Sequence, residues 1–375
     1  MIRTERVRRT PAILLQGAGI KYAGSLRGIM DNPEEDLHSL SRELLSGIDC
    51  PDNLVIYPKS GGGNNKVFIL EMNGIPKYVM KHYFRHAADP RDRCRAEWTF
   101  LEYAADAGIS CVPKPIICDP DRGIAVYEYI HGHKVPTEHL SGNHITQALD
   151  FFEAINKNYD SGTPKNLLPA AESCFSMRDH LECVNRRIDR LLQMDTGSEI
   201  DRSAIHFVRN ELIPRWENVR KDILEQEKQG LSGLDDCLKK RDICISPSDF
   251  GFHNAIQTDA GTVFFIDFEY AGLDDPVKMI CDFFCQPEVP VPHSYLPMFS
   301  ARVLDSLDNP GSHYRRLKML LPVHTIKWCC IILNEFLPVG RARRIFANSD
   351  LDMNEIKGKQ LKKAKNMFKM ANTMI

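Results

Sequence analysis

Between Leu54 and Ile130 apolar and polar residues alternate in short runs, whereas from Thr137 onward the apolar residues recur every three or four positions. A period of two is that of a strand and a period near 3.6 that of a helix. The chain therefore divides into a strand-rich segment and a longer helical one. Strands are predicted at Leu54–Tyr57, Lys66–Glu71, Lys77–Tyr83 and Gly123–Ile130, with one helix over Arg91–Ala107 among them. Helices are predicted over 138–158, 177–194, 199–228, 276–285, 312–336 and 352–372, with Ser198 and Asp201 spaced as a capping box. One strand–turn–strand interrupts them, Ala255–Gln257 and Val263–Ile266, turning at Asp259, Ala260 and Gly261. A glycine closing a three-residue loop suits a bulged hairpin. Leu37, Leu40, Leu44 and Leu45 predict a helix near Glu34–Ile48. The expected class is α+β, divided as a helical N-terminal extension (1–48), a strand-rich lobe (49–132) and a helical lobe (133–375).

Composition narrows the function classes. The 375 residues are 43% hydrophobic and 26% charged, a globular balance, and carry a formal charge of −2. A nucleic-acid binder usually advertises itself by a strong basic excess, so no nucleic-acid partner is expected. The 12 cysteines contain no CxxC pair and sit mostly in apolar runs. They read as reduced, buried thiols of a cytoplasmic protein rather than as zinc ligands. The longest apolar stretch, Met319 to Gly340, is broken by Pro322, His324, Lys327, Asn334 and Glu335, which predicts a buried helix and no membrane insertion. Ala12 to Leu15 is too short an apolar run for a signal peptide. The lysines between Lys357 and Lys369 read as the wet face of a terminal helix.

Three constellations carry chemistry. Lys59–Asn65 reads KSGGGNN between two strands. Three consecutive glycines let a backbone approach a phosphate with its N–H groups, although such a run also makes an ordinary flexible turn. Lys81 ends a strand, and alternation places it on the face of Val79 and Tyr83. Glu97 borders the apolar stripe Cys94, Trp98, Leu101 and Ala105 of the next helix, where a carboxylate needs a cation. Lys81 is that cation in this reading, with Glu102 as the competing carboxylate. The third constellation is Asp249 and Asn254, five apart, followed by Asp267 and Glu269 after the hairpin. A hairpin folded around Ala260 sets residue 254 against residue 266, so Asn254 and Asp267 can share one Mg²⁺ through oxygen ligands. Asp249 is then placed to orient an attacking hydroxyl as catalytic base, and Glu269 to reach a second metal or its water.

With these motifs in kinase order, the chain resembles the aminoglycoside phosphotransferase and choline kinase superfamily over roughly Asn53 to Phe336. The resemblance rests on SGGGNNKVF, VMK at Lys81, VYEYIHG, SDFGFHN and IDFEYAG. It implies a protein-kinase-like two-lobe fold that uses ATP and Mg²⁺ to phosphorylate a hydroxyl of a small acceptor. An aminoglycoside, a choline-like amino alcohol and a sugar are the acceptor classes in view. By the same resemblance Asp249 is the base, Asn254 and Asp267 bind Mg²⁺, and Glu269 lies near the metals. Ser60, Gly61, Gly62, Gly63 and Asn65 form the nucleotide loop. Lys81, held by Glu97, contacts the α- and β-phosphates, and the backbone of Glu128, Tyr129 and Ile130 holds the adenine. The chain departs from the family at Pro247, where a histidine usually props the catalytic loop. That departure motivates an alternative, a nucleotide-binding pseudokinase acting as a regulator or scaffold. Tyr270, Asp274, Asp275, Asp282, Gln286, Trp328 and Glu335 are the candidate acceptor-site residues, and their acids suggest a cationic acceptor.

Overall fold

The computed structural model describes residues 12–16, 19–23, 41–46, 53–59, 63–157, 166–230, 233–349 and 351–371. A seven-stranded antiparallel sheet forms the small lobe. Its strands are β1 (Ala12–Gln16), β2 (Gly19–Ala23), β3 (Leu54–Pro58), β4 (Lys66–Met72), β5 (Ile75–His82), β6 (Pro115–Asp119) and β7 (Ile124–Glu128). Their order across the sheet is β2-β1-β6-β7-β5-β4-β3. Strand alternation assigns its two faces. Met80, Ile124 and Val126 pack with Leu44 and Leu45, which lie on a short helix over 41–45 (α1). Ala125 and Tyr127 face the other way, onto Trp98 of helix α2 (Arg93–Asp106).

The N-terminal segment differs from expectation. It contributes the β1–β2 hairpin, whose first strand pairs with β6, as well as helix α1. The apolar run Ile13-Leu14-Leu15 is too brief and does not alternate, so it does not register as a strand in isolation and acquires meaning only from the open edge of β6. Strand β6 is likewise unforeseen. Its run Ile116-Ile117-Cys118 is apolar on both faces, a pattern that periodicity alone does not assign.

The large lobe is helical: α3 (Gly142–Asn156), α4 (Met177–Leu191), α5 (Glu199–Phe207), α6 (Ile213–Lys228), α7 (Pro276–Cys285), α8 (Leu296–Leu304), α9 (Pro310–Ile332), α10 (Pro338–Ala347) and α11 (Met353–Ala371). The spacing predicts one helix over 199–228, but a π-helical turn at Val208–Leu212 divides it. Pro214 has no N–H for the carbonyl of Asn210 and its ring crowds that carbonyl, which accounts for the wider turn. The capping box at Ser198 forms as expected, Asp201 donating its backbone N–H to the Ser198 hydroxyl at 3.1 Å. Among the described residues one helix, Pro310–Phe336, is long and apolar enough to cross a membrane, and 72% of its apolar window is buried within the fold. The described cysteines are all free and, Cys111 and Cys237 apart, buried.

Two short antiparallel pairs frame the segment from Asp249 to Asp267: β8 (Cys244–Ser246) with β11 (Gly272–Asp274), and β9 (Ala255–Gln257) with β10 (Val263–Phe265). The link from small lobe to large is tied to this hairpin. His133 and Gln257 exchange backbone hydrogen bonds of 3.0 and 2.8 Å. Gly132 stands beside them at φ +157°, where a Cβ would run into the carbonyl oxygen of Gln257, so this crossing requires glycine.

Candidate active site

Lys81 points from β5 onto α2, as strand alternation requires. Its ammonium lies 2.7 and 2.9 Å from the Glu97 oxygens and 2.8 Å from Asp267 Oδ1. Tyr83, two residues along the same strand face, donates to Glu97 Oε2 at 2.7 Å and meets the Tyr127 hydroxyl at 2.7 Å. Burial alone lowers the Lys81 ammonium, but Asp267 and Glu97 outweigh it and hold it above its ordinary value. The lysine is therefore a fixed charge at the junction of the two lobes. Glu102, the competing partner, does not take part in these bonds.

The hairpin closes in the expected register. Ile266 donates its backbone N–H to the carbonyl of Asn254 at 2.9 Å, continuing the pairing of Phe265 with Ala255. This brings Asn254 beside Asp267. Asp267 adopts φ +69° and Ser248, next to Asp249, φ +64°. Left-handed backbone at non-glycine residues costs roughly 1–3 kcal/mol each and persists where the surroundings impose it. The Asn254 amide donates to the Asp249 carbonyl at 3.0 Å and to Asp249 Oδ2 at 3.3 Å. Its Oδ1 is therefore the atom left to face a cation.

His253 occupies the position before Asn254. Its Nε2 lies 3.2 Å from Asp249 Oδ1, while its buried Nδ1 has no hydrogen-bond partner. Burial opposes both charges. It is outweighed by the mutual attraction of the pair, so Asp249 is held below the ordinary carboxylate value and His253 above the ordinary imidazole value. The sequence reading gave His253 no role. Its signal is the Asp249–His253 spacing of four, which the tight loop ending in the 3-10 turn Phe252–Asn254 brings together.

Glu269 turns away from the role expected of it. It is buried, with Asn64 donating to Oε1 at 2.6 Å and Asn65 to Oε2 at 2.5 Å. Arg93 approaches within 3.8 Å and is itself wholly buried against Asp89. Asn65 also accepts the backbone N–H of Phe84 at 3.2 Å. Glu269 thus anchors the glycine loop to the segment that follows Asp267. Ser60, Gly61 and Gly62 lie outside the described residues. Gly63 carries the Arg344 guanidinium against its backbone, in space that a Cβ would fill. At the hinge the Glu128 and Tyr129 N–H groups donate to the carbonyls of Lys114 and Lys77, each at 2.9 Å. Of the three hinge residues, Ile130 is left with an N–H to offer a base.

The donor set suits a hard divalent cation. Asn254 and Asp267 supply neighbouring oxygens, and Asp267 keeps 31% of its side chain exposed. Among the described residues no group of three or more His, Cys, Asp or Glu gathers as a metal site. A two-residue oxygen set fits Mg²⁺, which keeps several waters and relies on substrate phosphates for the rest of its shell.

Beside Asp249 a cavity of about 230 Å³ opens toward α9 and α10. Tyr270, Asp282, Trp328 and Glu335 line it, but Asp274, Asp275 and Gln286 do not. Asp274 is wholly buried and ion-paired to Lys278. Asp275 caps α7 through the Val277 N–H at 2.8 Å and is gripped by His180 and Arg316. Gln286 folds onto the backbone of Glu288 and Val289. Asp282 accepts from His324 at 3.0 Å, Lys327 at 2.7 Å and Trp328 at 2.9 Å. Glu335 is paired with Arg344 at 2.6 Å. The acids proposed to attract a cationic acceptor are therefore satisfied by internal cations, an outcome that residue type alone does not reveal.

Comparison with known proteins defines the class. The model of the phosphotransferase enzyme family matches residues 56–318, well over half of the chain, and the chain belongs to that family. The fold is shared with solved kinases of low sequence identity. Choline kinase from Cryptosporidium parvum Iowa II superposes with a TM-score of 0.55 at 12% identity, covering 91% of this chain and 96% of that one. Choline kinase LicA from Streptococcus pneumoniae gives 0.53 at 15% identity, covering 89% and 99%. Spectinomycin phosphotransferase APH(9)-Ia, solved with ADP and spectinomycin, gives 0.55 at 15% identity, covering 88% and 98%. Among curated protein sequences none matches significantly. The architecture is thus the protein-kinase-like two-lobe α+β fold of a phosphotransferase.

Proposed function

We propose that the protein transfers the γ-phosphoryl group of ATP, with Mg²⁺, to a hydroxyl of a small acceptor. The observation that carries this reading is the meeting of Lys81, Asp267, Asn254 and Asp249 at the junction of the lobes, with a cavity beside Asp249. Lys81 binds the α- and β-phosphates, the loop of Gly63 and Asn65 covers them, and the Ile130 N–H holds the base. Asn254 and Asp267 would hold Mg²⁺, which when bound neutralises phosphate charge. Glu269 fixes the loop rather than the metal. The acceptor hydroxyl oxygen forms a bond to the γ-phosphorus, the bond to the β,γ-bridging oxygen breaks, and ADP leaves with that electron pair. The hydroxyl proton passes to Asp249, kept ionised at neutral pH by His253 and Asn254.

Proline at 247 does not leave the base unsupported in this reading, because His253 braces Asp249 from the far side of the loop. The free cysteines favour a reducing compartment such as the cytoplasm. The test is acceptor-dependent ADP release that requires Mg²⁺ and is lost in Asp249→Ala. A protein that fails to bind Mg·ATP contradicts the proposal.

A further inference from the structure

The charges of the cavity beside Asp249 point to the chemistry of the acceptor, and this step rests on the phosphotransfer reading above. Five carboxylates line the cavity. Four are already matched: Glu172 by Arg187, Asp282 by Lys327, Glu335 by Arg344 and Glu288 by Lys363. The fifth is Asp249, the base. A cationic amine entering here finds no unpaired acid, since Asp249 itself is paired with His253.

The cations are not matched in the same way. Arg343, on α10, lines the cavity and has no ion-pair partner among the described residues, and its Nε is buried without a hydrogen bond. Arg91, also on the wall, shares the single carboxylate of Asp89 with Arg93. A buried guanidinium N–H without a partner is costly, and an oxyanion relieves that cost through short charge-assisted hydrogen bonds. Arg343 stands on the acceptor side of the site, since Lys81, Asn254 and Asp267 do not line this cavity.

We propose that the acceptor is a small hydroxyl compound bearing an oxyanion, a carboxylate or a phosphate ester, which Arg343 binds while the hydroxyl faces Asp249. The oxyanion is unchanged in the transfer. The hydroxyl oxygen gains the γ-phosphoryl group, its proton goes to Asp249 and then to solvent, and ADP departs.

The experiment measures ADP release by the full chain with Mg·ATP. Glycerate and glycerol 3-phosphate are the oxyanion probes, which separate a carboxylate from a phosphate source. Choline, ethanolamine and gentamicin are the amine probes. Calorimetric binding of each probe is measured in parallel, so that slow turnover does not hide recognition. The expected result is that an oxyanion probe binds and turns over in preference to the amines. Arg343→Gln should raise its KM about tenfold to a hundredfold, with ATP affinity unchanged. Arg343→Lys, a second variant that keeps the charge, should restore part of the loss. Preference for the amines, absence of both binding and turnover with both oxyanion probes, or an Arg343→Gln effect on ATP alone overturns the inference while leaving the kinase reading standing. A wild-type protein that binds no Mg·ATP overturns both.

Discussion

Lys81 Nζ and Asp267 Oδ1 lie 2.8 Å apart, joining a strand of the small lobe to the left-handed residue that follows the β9–β10 hairpin of the large one. Glu97 holds the same ammonium from α2. One buried cation therefore neutralises a carboxylate from each lobe, and its removal is felt twice. Lys81→Met leaves Glu97 buried beside Tyr83 with no positive partner, and should destabilise the protein by about 3–5 kcal/mol. The double variant Lys81→Met/Glu97→Leu, which removes both charges, should recover most of that loss in urea denaturation while remaining unable to bind ATP tightly. Equal stability losses in the single and double variants would show that the pair is not the source.

Glu269 separates two roles for an acid beside a metal motif. Both of its oxygens accept from side-chain amides of Asn64 and Asn65. Glu269→Gln sets an NH₂ donor against one of those amides, and should lower stability by about 1–3 kcal/mol. The Mg²⁺ concentration required for half-maximal activity should stay where it is. Unaltered stability with a raised Mg²⁺ requirement would put Glu269 on the metal instead.

The division of the molecule into a sheet lobe and a helical lobe was legible because each segment keeps one hydrophobic period long enough to count. The register of the hairpin was legible too, since a glycine-closed loop between two apolar runs leaves few alternatives, and Asn254 does meet the residue beside Asp267. What escaped was whatever depends on partners distant in the chain. Ala12–Gln16 becomes a strand because β6 offers an edge, and α10 bends back so that Phe346 packs edge-on against His82 and Phe84 of the small lobe. The acids of the large lobe misled for the same reason. Asp274, Asp275 and Asp282 resemble a cation site in sequence, yet Lys278, Arg316 and Lys327, on α7 and α9, neutralise them, while His180 and His324, whose burial lowers their pKa, only hydrogen-bond to Asp275 and Asp282.

His253 gives the Asp249 loop a pH signature. Its imidazole is held above the ordinary value of 6.5, despite burial, by the Asp249 carboxylate. Its ring protons, followed by NMR, should titrate above that value in the wild type and lower in Asp249→Asn, where only Asp267 and Glu288 still oppose burial. The sign for stability follows. A raised folded-state value contributes stability that is complete below the unfolded value and is lost as the pH rises through the folded one. The stability advantage of wild type over His253→Gln should therefore be largest just below pH 6.5 and shrink above the raised midpoint. An advantage that grows with pH would exclude the ion pair.

The most direct test is a single-turnover measurement of phosphoryl transfer from Mg·ATP by wild type and Asp249→Ala, with nucleotide affinity determined on the same samples. If Asp249 accepts the hydroxyl proton, the transfer rate should fall about 10²- to 10⁴-fold with ATP affinity unchanged. A variant that transfers phosphate at the wild-type rate, or a wild type that binds Mg·ATP but transfers it to no hydroxyl compound, would contradict the assignment.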